Sequence, residues 1–352
     1  MYKHFIRPLL FLLPPERIHG LVAISLRIFC KIPGCRWLLH RIMRVNSPAL
    51  SRELLGMRFS SPVGLAAGFD KNAELYRAMG ALGFAFVEVG TVTPRPQPGT
   101  PKPRSFRLVA DSGIINRMGF NNKGVNYVKQ RLIRDGRPDG LIVGGNIGKN
   151  TATPNAEAPA DYALCCRELY PHVDYLAVNV SCPNVSNLRN LQGGNELAEI
   201  IGAVMSVRAE FEQRKPVLLK VSPDLSPEQL RNTVEVAERC GIDGYIATNT
   251  TTSREGLCTP AERVAAIGNG GLSGGPLTQR STEMVRQLRQ LLGPDKPIIG
   301  VGGIMSEHDA LERLQAGADL VQLYTGFIYG GPAMARRINR AILKQQLNGH
   351  LK

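Results

Sequence analysis

Eight short apolar runs, rich in β-branched residues, recur after residue 61, and each ends in glycine or polar residues. They are PVGLAAG (62–68), FAFVEVGT (84–91), LIVGGNIG (141–148) and YLAVNVS (175–181), then PVLLKVS (216–222), GYIATNT (244–250), PIIGVGG (297–303) and LVQLYTG (320–326). Apolar and polar positions do not alternate within them, so each strand is buried on both faces, as in a parallel sheet. Amphipathic stretches such as PADYALCCRELYPHV and SPEQLRNTVEVAERCG lie between most runs and open near Ser, Asp or Pro, as helices do. Eight strand–helix alternations predict an α/β fold, a closed (β/α)8 TIM barrel.

Two segments break the repeat. Between the second and third runs, a Pro/Gly-rich insertion covers about residues 92–125, too long for a plain strand–helix connection. It leaves the C-terminal end of a barrel strand, so it falls on the face where barrels carry their sites. Residues 1–46 form the second segment, read as an N-terminal helical arm preceding a barrel over 47–352. Its runs, FIRPLLFLLPP, LVAISLRIF and CRWLLHRIM, are cut by Pro14 and Pro15, and none reaches the roughly 20 residues of a spanning helix. The first run is also too short and broken for a secretory signal. Ile18, Leu21, Val22 and Leu26 recur at helical spacing with basic residues between them. That pattern suits a membrane-associating helix lying in an interface, or a helical arm packed on its own domain with a solvated basic face.

Charge sharpens this picture. The 352 residues carry a net charge of +14. Eight basic residues and one acid, Glu16, give the first 46 residues half of it. The seven cysteines, at 30, 35, 165, 166, 182, 240 and 258, contain no CxxC pair, which fits reduced thiols and gives no zinc spacing. No metal site is expected.

In such a barrel the strand ends converge on one mouth. They bring Gly68, Asp70, Lys71, Thr91, Asn146, Asn179, Cys182, Asn184, Lys220, Ser222, Thr248, Asn249 and Thr250. A lysine at a buried strand end is costly without an anion, so Lys71 and Lys220 point to an anionic ligand or to structural ion pairs. The amides and hydroxyls suit a flat, hydrogen-bonding heterocycle. The turns in GGLSGGP (270–276), GVGG (300–303) and LYTG (323–326) offer backbone N–H groups to a phosphate. The six histidines are expected away from the strand ends. Cys182 in NVSCPN is then the best titratable group, because a thiol with a reference pKa of about 8.5 is a usable base near neutral pH. Packing filler is the bland alternative. Ser181 is expected to point the other way along its strand.

Taken together, GLAAGFDKN, VEVGTVTPRPQPGTPKPR, INRMGFNN, NIGKN, NVSCPN, GGLSG and GVGGI resemble the dihydroorotate dehydrogenase family over about residues 1–335. The arm, NLRNLQ and INRMGFNN resemble its class 2 branch, which is membrane-associated and quinone-dependent. The resemblance implies FMN in the mouth, oxidation of dihydroorotate to orotate in pyrimidine (UMP) biosynthesis, and electron transfer to a membrane quinone. It implies cofactor contacts at Ala66, Ala67, Gly68, Phe69, Asp70, Thr91, Asn146, Asn179, Lys220, Thr248, Gly274, Gly303, Tyr324 and Thr325. It implies substrate contacts at Lys71, Asn116, Arg117, Met118, Gly119, Phe120, Asn179, Asn184, Asn249 and Thr250, with Cys182 as the base. The quinone route matches His19, Arg107 and Tyr324.

The departure is Cys182, since class 2 members usually carry serine there and class 1 members cysteine. A class 1 enzyme using fumarate or NAD is therefore one alternative, although a soluble enzyme has no use for the arm. An FMN-dependent tRNA dihydrouridine synthase is another, yet no basic RNA-binding domain follows the barrel. A membrane-peripheral binding module with a vestigial barrel is a third, against which stands the intact set Lys71, Cys182, Asn184 and Lys220. The expected partners are dihydroorotate or orotate, a quinone and an anionic membrane surface met by residues 1–46. No nucleic acid and no obligate protein partner are expected. The expected location is peripheral, on the cytoplasmic face of a bacterial inner membrane.

Overall fold

The computed structural model describes residues 2–181 and 194–349. All eight predicted strands form: β1 (Val63–Asp70), β2 (Phe86–Val92), β3 (Ile142–Ile147), β4 (Tyr175–Asn179), β5 (Val217–Val221), β6 (Gly244–Ala247), β7 (Ile298–Val301) and β8 (Leu320–Leu323). They pair in parallel and close on themselves, with Val321 of β8 beside Val63 of β1. The strand interiors are buried because one face meets the helices and the other fills the barrel. Phe59, Phe86, Tyr175, Leu218, Ile246, Ile299 and Leu320 form the inner plug. A Cβ on Gly64 would lie 2.4 Å from the Phe86 ring, so only glycine lets that ring cross the barrel.

The helices follow the expected signals. Ser226 accepts the Gln229 N–H while Gln229 returns a bond to the Ser226 N–H, a capping box that starts Pro227–Arg239. PADYALCCREL lies in the helix Ala158–Leu169, which passes into a 3₁₀ turn at Tyr170–His172.

Within the insertion, Ser105–Leu108 and Gly113–Asn116 pair antiparallel. Gly271–Gly274, beyond β6, adds to Gly113–Asn116 as a third strand. The N-terminal residues fold as a π-helical turn (Tyr2–Ile6) and three helices, Arg7–Phe11, Pro15–Lys31 and Cys35–Met43. No single helix among the described residues is long and apolar enough to cross a membrane, and the chain bends by 116° between Phe11 and Pro15. Ala23, Leu26, Cys30, Leu39 and Met43 pack on the core, yet no residue of the two longer helices is fully buried.

Candidate active site

The C-terminal ends of the strands enclose a cavity. β1 supplies Ala66, Ala67 and Gly68, with Lys71 beyond it; β2 supplies Thr91, β4 Asn179 and β5 Lys220. Thr248, Asn249 and Thr250 follow β6, and Gly302, Gly303 and Ile304 follow β7. Gln322 lies on β8, with Tyr324 and Thr325 beyond it. The insertion closes one side with Asn116, Met118, Gly119 and Phe120, and its partner strand adds Ser273 and Gly274. Gly68, Gly274 and Gly302 lie at φ of 94°, 98° and 98°. Those turns suit glycine and leave bare backbone at the cavity wall.

A network of side chains fixes the polar wall. Thr91 Oγ1 donates to Asn146 Oδ1 at 2.5 Å, and Asn179 Nδ2 donates to Thr91 Oγ1 at 2.9 Å. Asn249 Nδ2 reaches Asn179 Oδ1 at 3.2 Å and Ser181 Oγ at 3.1 Å. Behind them lies Glu88 on β2, fully buried. It accepts from Asn146 Nδ2 at 2.7 Å, Gln322 Nε2 at 2.9 Å and Tyr175 OH at 3.2 Å. Lys220 Nζ is 4.0 Å from the same carboxylate. Burial, with Glu88 beside it, pushes the Tyr175 phenol well up, so it stays a donor. Lys71 Nζ donates to Asn121 Oδ1 at 2.6 Å.

Several sequence expectations change here. Asn146 is buried one layer behind the cavity wall and orients Thr91 and Asn179. Asp70 turns away from the mouth. Its carboxylate accepts the backbone N–H groups of Glu74, Leu75 and Tyr76 at 2.7–2.8 Å. Burial nevertheless pushes its pKa up to about 6. Phe69 also leaves the cavity and packs edge-on against Tyr324, Phe327 and His19. The Arg117 guanidinium lies over the Phe106 ring and donates to the carbonyls of Ile267 and Asn269. Ser181 does not face away from the mouth. β4 ends at Asn179, so strand alternation no longer governs it, and its Oγ joins Asn179 and Asn249. Cys182 and Asn184 lie outside the described residues.

The histidine expectation fails at one position. The His19 ring stands 4.9 Å, edge-on, from Phe69 at the end of β1. By accessible area the ring is exposed, although protein crowds it. Desolvation and the nearby Lys71 charge lower its pKa to about 4, so the ring is neutral at pH 7. Tyr324 links Phe69 to the cavity, and burial, with Glu16 nearby, pushes its phenol up to about 12. Arg107 lies off the cavity. It donates to the carbonyls of Leu13 (2.8 Å) and Phe11 (3.3 Å) and stands 4.3 Å over the Phe11 ring. Glu88 and Gln322 escaped the sequence reading, though each is a polar residue inside an apolar run, in FVEVG and LVQLY.

Comparison with known proteins decides the family. A family model described as dihydroorotate dehydrogenase matches residues 49–346. The chain belongs to the dihydroorotate dehydrogenase family. Among curated dihydroorotate dehydrogenases named as quinone enzymes, that of Christiangramia forsetii is 51% identical over 347 residues, covering 99% of this chain and all of the relative. That of Thermobifida fusca is 47% identical, covering 97% of this chain and 92% of the relative. The crystal structure of the Eimeria tenella dihydroorotate dehydrogenase in complex with ferulenol superposes with a TM-score of 0.84 at 37% identity, covering 95% of this chain and 92% of that one.

Proposed function

We propose that this chain oxidises dihydroorotate to orotate at the barrel mouth and passes the electrons to a membrane quinone. The observation that carries the reading is one cavity joining amides, hydroxyls, two lysines and glycine turns, connected through Tyr324 and Phe69 to His19 on the N-terminal helices. Full-length similarity to quinone-named relatives supports it.

FMN fits this donor set. Gln322 Oε1 is buried and finds no partner among the described residues, so a ligand N–H or O–H at the mouth would satisfy it. Ala66, Ala67, Gly68, Thr91, Asn179, Lys220, Thr248 and Tyr324 would hold the ring and chain, and Gly274, Gly303 and Thr325 the phosphate. When bound, FMN supplies the two-electron acceptor.

Lys71 and the amides of Asn116, Asn179 and Asn249, with Thr250, hold the substrate carboxylate, carbonyls and ring N–H. Phe120 and the insertion exclude water. Cys182 takes the C5 proton as a thiolate, and the carbonyl next to C5 makes that proton acidic. His19, Tyr324 and Arg107 border the quinone route. Residues 1–46 form the membrane-facing arm and 47–352 the FMN barrel, held peripherally on the cytoplasmic face of a bacterial inner membrane.

The test is dihydroorotate oxidation by the purified yellow protein with a soluble quinone, fumarate and NAD as competing acceptors. Preference for quinone is expected. Preference for fumarate or NAD would refute the class 2 reading.

A further inference from the structure

A second cavity, of about 760 Å³, is larger than the mouth and separate from it. It lies at the opposite end of the barrel, between the helix Cys35–Met43 and the segments that lead into β1, β2 and β3. Its lining carries one carboxylate, Asp139, against Lys31, Arg36, Arg44, Arg77 and Arg137. Arg137 is paired with Asp174. Lys31, Arg36, Arg44 and Arg77 have no carboxylate within ion-pair distance among the described residues. Arg44 instead stands 3.1 Å from His40 Nε2.

The interior of the cavity holds unanswered polar atoms. Ser61 is only 4% exposed and Asn339 1%. Ser61 Oγ, Asn339 Oδ1 and the buried Arg77 Nε find no hydrogen-bond partner among the described residues. Such groups call for a polar guest. The rim is apolar, with Ile32 49% and Trp37 62% exposed, and it continues the exposed side chains of Ile28, Leu38 and Ile42. A guest matching all three features is anionic, carries a hydroxyl and has an apolar tail.

We infer that this cavity binds the headgroup of an anionic glycerophospholipid, with Arg44, Arg36 and Arg77 facing its phosphate and Ser61 and Asn339 facing its hydroxyls, while Trp37 and Ile32 meet the acyl chains. This rests on the peripheral-membrane reading above and gives that reading a defined site. Arg77 and Ser61 belong to the barrel, so the lipid contact is shared between arm and barrel.

Binding of the full-length holoprotein to phosphatidylglycerol vesicles and to phosphatidylcholine vesicles tests the inference. The variants are Arg44→Glu and Ser61→Ala, with Arg17→Glu as a charge-matched control, exposed on the helix Pro15–Lys31 and off the cavity. Arg44→Glu is expected to weaken phosphatidylglycerol binding at least tenfold more than Arg17→Glu. Ser61→Ala, which changes no charge, is expected to weaken it several-fold. Millimolar inorganic phosphate is expected not to compete at constant ionic strength. Equal losses for Arg44→Glu and Arg17→Glu with no effect of Ser61→Ala would overturn the site and leave diffuse attraction. Competition by inorganic phosphate would overturn the lipid as the source of the anion. If the parent protein binds no anionic vesicles, the peripheral-membrane reading itself fails.

Discussion

Glu88 gathers the polar groups behind the cavity wall. Its carboxylate is fully buried, accepts three side-chain hydrogen bonds and faces Lys220 at 4.0 Å. Glu88→Gln keeps the shape but sets an amide N–H₂ against Asn146, Gln322 or Tyr175 and removes the anion beside Lys220. A loss of about 3 kcal/mol is expected in urea unfolding, with weaker FMN retention, because half a buried pair costs more than the pair contributes. An unchanged midpoint would show that Lys220 finds its anion elsewhere. Cys182→Ser tests the base proposed above. A thiol ionises far more readily than a hydroxyl, so the parent's rate–pH profile is expected to lie at lower pH than the variant's, and superimposable profiles would exclude Cys182 as the base. The mouth was legible residue by residue where a polar group ends an apolar strand, as at Thr91, Asn179 and Lys220. Side-chain direction was not legible: Asp70 has the right position but binds the backbone N–H groups of Glu74, Leu75 and Tyr76 instead.

At the scale of elements, the helix Pro15–Lys31 is joined to the insertion by one ion pair. Glu16 Oε1 lies 3.0 Å from both Nε and Nη2 of Arg104, whose side chain is 7% exposed. Arg104 also donates to the carbonyls of Pro98 and Thr100, so it braces the loop as well. Glu16→Ala leaves a nearly buried guanidinium short of its anion and is expected to cost about 2–3 kcal/mol in unfolding experiments. Quinone reduction should fall more than reduction of an artificial dye. Equal losses with both acceptors would separate this contact from the quinone route. Next to it, His19 adds a pH dependence. Its folded pKa of about 4 lies below the ordinary histidine value of 6.5. As pH falls, the unfolded chain takes up this proton first, so stability present above pH 6.5 is lost on the way to pH 4. The ring's exposure limits the effect to less than about 1 kcal/mol. Thermal unfolding at pH 7 and pH 5 should show a smaller acid shift in His19→Phe than in the parent. The eight strands were legible because burial on both faces writes an unbroken apolar run. The three-stranded sheet was not, because Gly271–Gly274 pairs with Gly113–Asn116 across more than 150 residues, and no local pattern encodes that partner.

Across the whole molecule, apolar surface and charge are distributed unevenly in the same direction. Fourteen of the nineteen exposed large apolar side chains among the described residues lie between Phe5 and Ile42. The first 46 residues also carry half of the +14 net charge. A water-soluble surface rarely gathers so many large apolar groups in one place, and a patch of this kind marks a binding face. Charge alone would keep such a protein apart from its copies, while the apolar face would draw them together. Which tendency wins depends on salt, since the repulsion is screened over about 8 Å at physiological ionic strength and the hydrophobic attraction is not. The full chain is therefore expected to run as small species at low salt and to self-associate as salt rises, and a mild detergent should reverse this by covering Phe5, Leu9, Leu12 and Ile24. Light scattering coupled to gel filtration reads the mass directly. Salt-driven association that detergent fails to dissolve would place the contact on the barrel and remove this argument for an arm that faces lipid.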